Sequence, residues 1–267
     1  MRKWYKFLVL DKLNHNIKNR FSFTNQQLIE DNKDYKDNFN FETFKKKELC
    51  IKIFNFLKNN LQNKETLFIG SSWGWWEYFL KDEFKVIASD TNDDYVEYHN
   101  KNTNLEYIKL DILNVDYENI RLYEQIVINN IEYLFDEDQL QKCVQNISKY
   151  SKKGTKIFVI FRSRDGLVQK LIDQFLSPIE EFLYFIKKRL KKKVYLIKVH
   201  HGYRRKISEF IQIWRKNNFI YQNIYQDMYE LEFNRLRVVE RFKISKIFSK
   251  IFLKSSPYLN ILTFEKQ

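Results

Sequence analysis

Glycine, proline, cysteine and histidine are all scarce in this chain of 267 residues, which has five Gly, two Pro, two Cys and four His. Cys50 and Cys143 lie far apart and neither belongs to a Cys-x-x-Cys pair, so the count excludes a disulfide framework. His200 and His201 are adjacent, and no other His or Cys spacing suits a zinc site, so no metal is expected and two buried thiols are the plain reading. No run of about 18 uninterrupted apolar residues occurs, which excludes a transmembrane helix from the expectation. The first twenty residues, MRKWYKFLVLDKLNHNIKNR, start basic, but their apolar run is short and no small-residue cleavage site follows. They do not read as a signal peptide, and the cytoplasm is the expected compartment. With 44% hydrophobic and 17% aromatic residues the chain is not a disordered one, and its length suits a single globular domain with insertions.

The rarity of glycine gives weight to the place where two fall close together, the stretch ETLFIGSSWGWWEY from Glu65 to Tyr78. Leu67, Phe68 and Ile69 form a short apolar run that ends at Gly70; Gly74 follows, and Trp75 to Leu80 read as the first turns of a helix. Strand, tight glycine turn and helix start let a ligand lie against bare backbone, with the N–H groups of the helix start turned toward it. A second strand, Lys85 to Ser89, is closed by Asp90, and a third, Leu105 to Leu110, by Asp111. A fourth, Gln125 to Ile128, ends in Asn129 and Asn130. A helix from Asp136 to Tyr150 leads to a fifth strand, Thr155 to Phe161. Acids or amides thus stand at the carboxyl ends of successive strands, where open α/β sheets bind their ligands, and a carboxylate after the second strand can accept from both ribose hydroxyls. Ahead of the first strand, Leu49, Ile53, Phe56, Leu57 and Leu61 recur at helical spacing.

These residues resemble the class I S-adenosylmethionine-dependent methyltransferases. IGSSWGWWE is similar to that family's glycine-rich first motif, VIASD to its second and LDIL to its third, while INNIEYLFDED followed by KKGTKIFVI resembles its fourth strand, the turn after the next helix and its fifth strand. The resemblance covers residues 65 to 161. Phe68 stands where the family carries an acid, Ser72 where it carries its middle glycine, Tyr133 in place of a common His, and Gly154-Thr155 in place of a glycine pair. The resemblance implies a Rossmann-like α/β fold with a seven-stranded sheet in the order 3-2-1-4-5-7-6 and helices on both faces. It implies S-adenosylmethionine as cofactor, held by Gly70, Ser71, Ser72, Gly74, Trp75, Asp90, Asp111, Ile112, Asn129 and Asn130, with Asp90 as the ribose acid and Asp111 and Ile112 beside the adenine. A single domain, 1–267, would then comprise an N-terminal cap (1–43), a cofactor-binding core (44–162), a helical insertion after the fifth strand (163–198) and a C-terminal part (199–267) with an acceptor-facing loop, a second insertion after strand six and the last two strands.

Charge divides the chain. Residues 1–130 hold 19 Lys and Arg against 20 Asp and Glu, whereas residues 131–267 hold 28 against 14. The half expected to bind cofactor is neutral and the other half strongly basic, which points to an anionic acceptor bearing phosphate or carboxylate. Arg162, Arg164, Tyr203, Arg204 and Arg205 are the candidate acceptor contacts, since guanidinium groups suit phosphate and carboxylate. His200 and His201 are candidate bases for a hydroxyl acceptor, with Glu132 and Asp165 as alternatives. The amphipathic segment LVQKLIDQFLSPIEEFLYFIKKRL, broken at Pro178, is read as a lid, a homodimer face or a contact with an anionic membrane surface, and RFKISKIFSKIFLK as a basic helix that is either solvated or peripheral to the inner membrane face. The expected reaction is methyl transfer to a small anionic acceptor, an oxygen of a sugar, nucleotide-sugar or surface-glycan precursor, in an AT-rich bacterium. An RNA methyltransferase, with nucleic acid as the partner, and a non-catalytic module that keeps the fold are the alternatives.

Overall fold

The computed structural model describes residues 45–115, 121–161, 163, 165, 205–229, 242–251 and 257–267, and helices are numbered here among these. The cap, nearly all of the 163–198 insertion and the loop 199–204 lie outside the described residues.

Seven strands form one sheet in the order β3-β2-β1-β4-β5-β7-β6. They are β1 (Thr66–Ile69), β2 (Val86–Asp90), β3 (Glu106–Lys109), β4 (Tyr123–Asn129), β5 (Ser151–Phe161), β6 (Phe219–Asp227) and β7 (Leu259–Lys266). The first five run parallel, with Phe68 opposite both Ala88 and Val127; β7 is antiparallel to β5 and to β6. Parallel strands need covering on both faces, and their apolar runs are continuous rather than alternating. In β1 all four residues are buried, and Leu67 and Ile69 point to one layer while Phe68 points to the other.

The first layer is closed by α4 (Glu137–Tyr150) and α5 (Ile207–Arg215), whose Leu140, Val144, Ile147, Phe210 and Trp214 bury against Ile126, Ile128, Val159 and Phe264. Trp214 stacks on Phe264 at 4.8 Å between ring centres and meets Phe219 edge-on at 4.9 Å. The second layer is closed by α1 (Glu48–Asn60), α2 (Trp75–Leu80) and α3 (Asp93–Asn102), which bring Ile53, Leu57, Leu80 and Tyr95 onto Phe68, Ala88, Val127 and Ile160. Asp136 caps α4 by accepting from the Gln139 backbone N–H at 2.8 Å, and Gln139 returns the bond to the Asp136 N–H at 3.1 Å. This reciprocal cap starts the helix where the sequence predicts it.

β5 begins four residues earlier than its apolar run, at Ser151. Gly154, with φ +82°, and the register shift between Tyr123 and Gln125 let the polar Ser-Lys-Lys-Gly segment join the sheet, and the Thr155 hydroxyl fastens it by donating to Tyr123 O at 2.6 Å. Among the described residues no helix is long and apolar enough to cross a membrane, and no group of three His, Cys, Asp or Glu is placed to hold a metal ion. Both cysteines are free; Cys143 is buried and Cys50 partly so.

Candidate functional site at the carboxyl edge of the sheet

The connection from β1 to α2 crosses the carboxyl edge of the sheet between β2 and β4, and it is built from backbone conformations that few residues adopt. Gly70 (φ +76°), Ser72 (φ +51°) and Gly74 (φ +61°) are all left-handed. Ser72 therefore keeps, at some cost in strain, the backbone that a glycine would adopt freely. A Cβ on Gly70 would stand 2.1 Å from Ile131 Cγ2, so the side chain after β4 closes down on bare backbone. One on Gly74 would meet Leu105 Cδ2 at 3.1 Å and His99 Nε2 at 3.3 Å.

Several amides of this turn are engaged within it. The N–H groups of Gly70 and Ser71 donate to Ser89 O at 3.0 and 2.9 Å, Gly74 N–H donates to Ser71 O at 2.9 Å, and Ser72 N–H donates to Asp90 Oδ2 at 2.9 Å. Three of these bonds lean the turn on the end of β2 and the fourth closes the turn on itself, so these four N–H groups are engaged within the protein. The bond from Ser72 N–H holds the acid of β2 against the glycine turn. Asp90 Oδ1 also accepts from Asn92 N–H at 3.2 Å, and the residue remains partly exposed.

An aromatic wall supports the turn from the α3 and β3 side. Ser72 Oγ donates to Tyr95 OH at 3.1 Å, Tyr107 OH donates to Ser72 O at 2.7 Å, and Trp73 packs edge-on against Tyr95 at 4.9 Å. His99, fully buried, stacks on Tyr107 at 4.8 Å. Its Nε2 lies 3.0 Å from Trp73 O, which can only accept, so Nε2 carries the proton and Nδ1 faces the Thr103 hydroxyl at 3.0 Å. Burial lowers its pKa to about 4, and the bond to Trp73 O offsets part of that, so His99 is a neutral strut.

On the other side of the turn, α2 drives Glu77 into the molecule. Its side chain is fully buried, and Asn129 Nδ2, at the end of β4, donates to Oε1 at 2.8 Å. Burial raises its pKa to about 7; bonds from Ser71, its own backbone N–H and Asn129 oppose that rise, and the negative charge of Asp90 adds to it. Glu77 Oε2, Asn129 Oδ1 and Asn130 Oδ1 are buried without a hydrogen-bond partner. Asn130 is left-handed at φ +52°, a second strained position on this edge. Sequence reasoning missed Glu77; the signal available was a single acid inside WWEYFL, where every neighbour is apolar or aromatic.

Of the other candidates, Asp111 turns its carboxylate to Leu113 N–H at 2.9 Å and Asn114 Nδ2 at 2.8 Å, closing the turn after β3. Ile112 is buried in the first layer, and its carbonyl accepts from Asn146 Nδ2 at 2.6 Å. Trp75 sits under the Lys47 ammonium, 4.2 Å from its ring centre, on the α1 side of α2. Glu132 is buried in a single 3-10 turn, Glu132–Leu134, after β4. Arg205 donates to Glu132 O at 3.1 Å and Phe135 O at 2.6 Å, which pins the start of α5 to that turn. Asp165 Oδ2 accepts from Ile207 N–H at 2.6 Å. Arg162, Arg164, His200, His201, Tyr203 and Arg204 lie outside the described residues.

The strand order, the antiparallel β7 and the glycine turn facing the acid of β2 define the seven-stranded class I methyltransferase fold, in agreement with the resemblance in sequence. No protein-family model matches the chain and no curated protein is similar to it in sequence. Solved structures share the fold at low identity. An S-adenosylmethionine-dependent methyltransferase from Archaeoglobus fulgidus has a TM-score of 0.54 at 14% identity over 80% of this chain and 93% of that one. A protein described as a possible histamine N-methyltransferase from Thermotoga maritima has a TM-score of 0.54 at 13% identity over 88% and 95%. Magnesium protoporphyrin IX methyltransferase from Synechocystis, solved with bound S-adenosylhomocysteine, has a TM-score of 0.50 at 11% identity over 81% of each chain.

Proposed function

We propose that this chain is an S-adenosylmethionine-dependent methyltransferase acting on a small anionic acceptor. The observation that carries the reading is the bond from Ser72 N–H to Asp90 Oδ2 at 2.9 Å, which joins the strained turn to the carboxylate of β2 on one sheet edge. The residues present fit an adenosine-bearing cofactor. Asp90 would accept from the ribose hydroxyls, the turn from Gly70 to Gly74 would lie along the cofactor, and Asp111 and Ile112 stand at the neighbouring strand end. When bound, the cofactor supplies a methyl group on a positively charged sulfur. The chain's own contribution is then positioning: it must hold the acceptor atom in line with that methyl and, for a hydroxyl acceptor, remove its proton.

For the acceptor the support is charge. The excess of 28 Lys and Arg over 14 Asp and Glu in residues 131–267 favours an anionic molecule, and Arg162, Arg164, Tyr203 and Arg204 are proposed to contact it, with His200 or His201 as base. A sugar, nucleotide-sugar or surface-glycan precursor methylated on oxygen, handled in the cytoplasm or beside the inner membrane face, is the finer proposal. Arg205 also braces α5 against the turn after β4 by donating to the carbonyls of Glu132 and Phe135.

Isothermal titration with S-adenosylhomocysteine tests the cofactor, with micromolar binding expected and no binding overturning the reading. Transfer of labelled methyl from S-adenosylmethionine to a panel of nucleotide-sugars, with total RNA as the parallel acceptor, tests the acceptor class. Label found in RNA alone would replace the small acceptor by a nucleic acid.

A further inference from the structure

A carboxylate with no charged partner is costly to bury, and Glu77 is buried completely. Among the described residues no salt bridge includes it; Asn129 meets Oε1 at 2.8 Å, and the neutral Ser71 hydroxyl and the Glu77 backbone N–H also favour the carboxylate without supplying a positive charge. Its Oε2 and the Asn129 Oδ1 beside it are both acceptors without donors, and Asn130 Oδ1, one residue further along the same strand end, is a third. Buried polar groups in folded proteins are nearly always bonded, so three orphaned acceptors at one strand end, with a formal negative charge among them, describe the complement of a cation with several N–H donors. Gly70 and Asn130, on either side, are partly exposed, which places the group just beneath the carboxyl edge of the sheet.

We infer that Glu77 and Asn129 form the receptor for an organic ammonium group, the α-amino group of the cofactor's methionine portion, with Glu77 on α2 replacing the carboxylate that position 68 at the end of β1 lacks. The inference rests on the cofactor reading above and assigns a cofactor-contacting role to a residue that the sequence motifs do not single out. The Phe68 side chain is fully buried in the second layer among aliphatic and aromatic side chains, so it offers no polar contact. The first turn of α2 delivers an acid to the same edge from the opposite side of the turn. Asn129 does two jobs in this arrangement: its Nδ2 holds one carboxylate oxygen, and its Oδ1 is left to accept from the same ammonium.

The charged group beside Glu77 is Asp90 on β2, which disfavours a second negative charge; Tyr107 on β3, its phenol pushed far above its ordinary value by burial, stays neutral, and β4 contributes the neutral Asn129. An incoming ammonium reverses that balance and draws the proton off Glu77. Binding of an amino-bearing ligand should therefore strengthen as pH rises from 6 to 8, and binding of the same nucleoside without the amino acid should not.

The test uses the whole chain and two probes, S-adenosylhomocysteine and 5′-methylthioadenosine, which carries the nucleoside and sulfur but no amino acid. Calorimetry at pH 8 should show Glu77→Gln binding S-adenosylhomocysteine about 10- to 100-fold more weakly than wild type, as loss of a charge-assisted bond predicts, with 5′-methylthioadenosine unchanged. Equal affinity of wild type and Glu77→Gln for S-adenosylhomocysteine overturns the inference, and so does an equal loss for both probes. If wild type binds 5′-methylthioadenosine but gains nothing from the amino acid, the inference fails and the nucleoside site stands; if it binds neither probe, the cofactor reading itself fails. Should Glu77→Gln not fold, wild type alone decides, because a preference for S-adenosylhomocysteine over 5′-methylthioadenosine that is constant from pH 6 to pH 8 overturns the assignment.

Discussion

Each side of the glycine turn holds an ionisable side chain buried completely, and the two are treated in opposite ways. On the α3 and β3 side, His99 has both ring nitrogens in contact with partners and a ring stacked on Tyr107. On the α2 and β4 side, Glu77 has one oxygen bonded and one without a partner. A satisfied buried group is part of a scaffold; an incompletely satisfied one lowers stability and persists where something else completes it. The turn is thus gripped from one side and open for business chemically on the other, and substitutions on the two sides should separate folding from binding.

The largest effect should come from the turn itself, which both sides share. Gly70→Ala forces a Cβ into Ile131 at a positive φ, and a loss of about 2–4 kcal/mol in urea unfolding is expected, together with loss of S-adenosylhomocysteine binding. A variant as stable as wild type would show that Ile131 moves aside freely and that the turn is looser than its geometry implies.

Next in size is the gripping side. His99→Ala removes a buried ring and its hydrogen bonds and should cost about 1–3 kcal/mol. It should also change the pH profile. The folded state holds His99 near pKa 4 while the unfolded chain sits near 6.5, so the unfolded state binds the extra proton in between, and stability should fall as pH drops from 6.5 toward 4. Denaturant midpoints across that range should lose this component in His99→Phe, and an unchanged slope would assign it to other groups.

The frame of the fold was legible before any coordinates. Short apolar runs before Gly70, Asp90 and Asn129 located the central parallel strands, because strands buried on both faces must be apolar throughout, while β3, at the sheet edge, keeps Glu106 and Lys109 exposed. What stayed hidden was polar. The opening residues of β5 are Ser-Lys-Lys-Gly, a composition that reads as a turn, and only the bulge against Tyr123 shows how they join the sheet. Ser72 could be recognised as standing at a glycine position, but not that it would hold a glycine's backbone. Glu77 was hidden because helical periodicity ranks positions by apolarity, and an acid among Trp75, Trp76, Tyr78 and Phe79 registers as an interruption rather than a site. Arg205 was read as an acceptor contact because guanidinium chemistry suits anions; that it also donates to carbonyls of the turn after β4 has no signal in the sequence.

The smallest effect should come from the open side, and its sign is the informative part. Glu77 has a folded pKa near 7 against 4.5 when unfolded, so the folded state binds the extra proton between these values. Its contribution is fully present below pH 4.5 and is lost as pH rises through 7, the reverse of His99, because ionising a buried carboxylate without a cation is unfavourable. Glu77→Gln should therefore be more stable than wild type at pH 8, by about 1–2 kcal/mol, and the two should converge toward pH 5. Thermal melts of the two proteins in the absence of ligand, at pH 5 and pH 8, read this directly. A glutamine variant less stable than wild type at pH 8 would mean that a buried cation or donor already completes Glu77, and the asymmetry between the two sides of the turn would disappear.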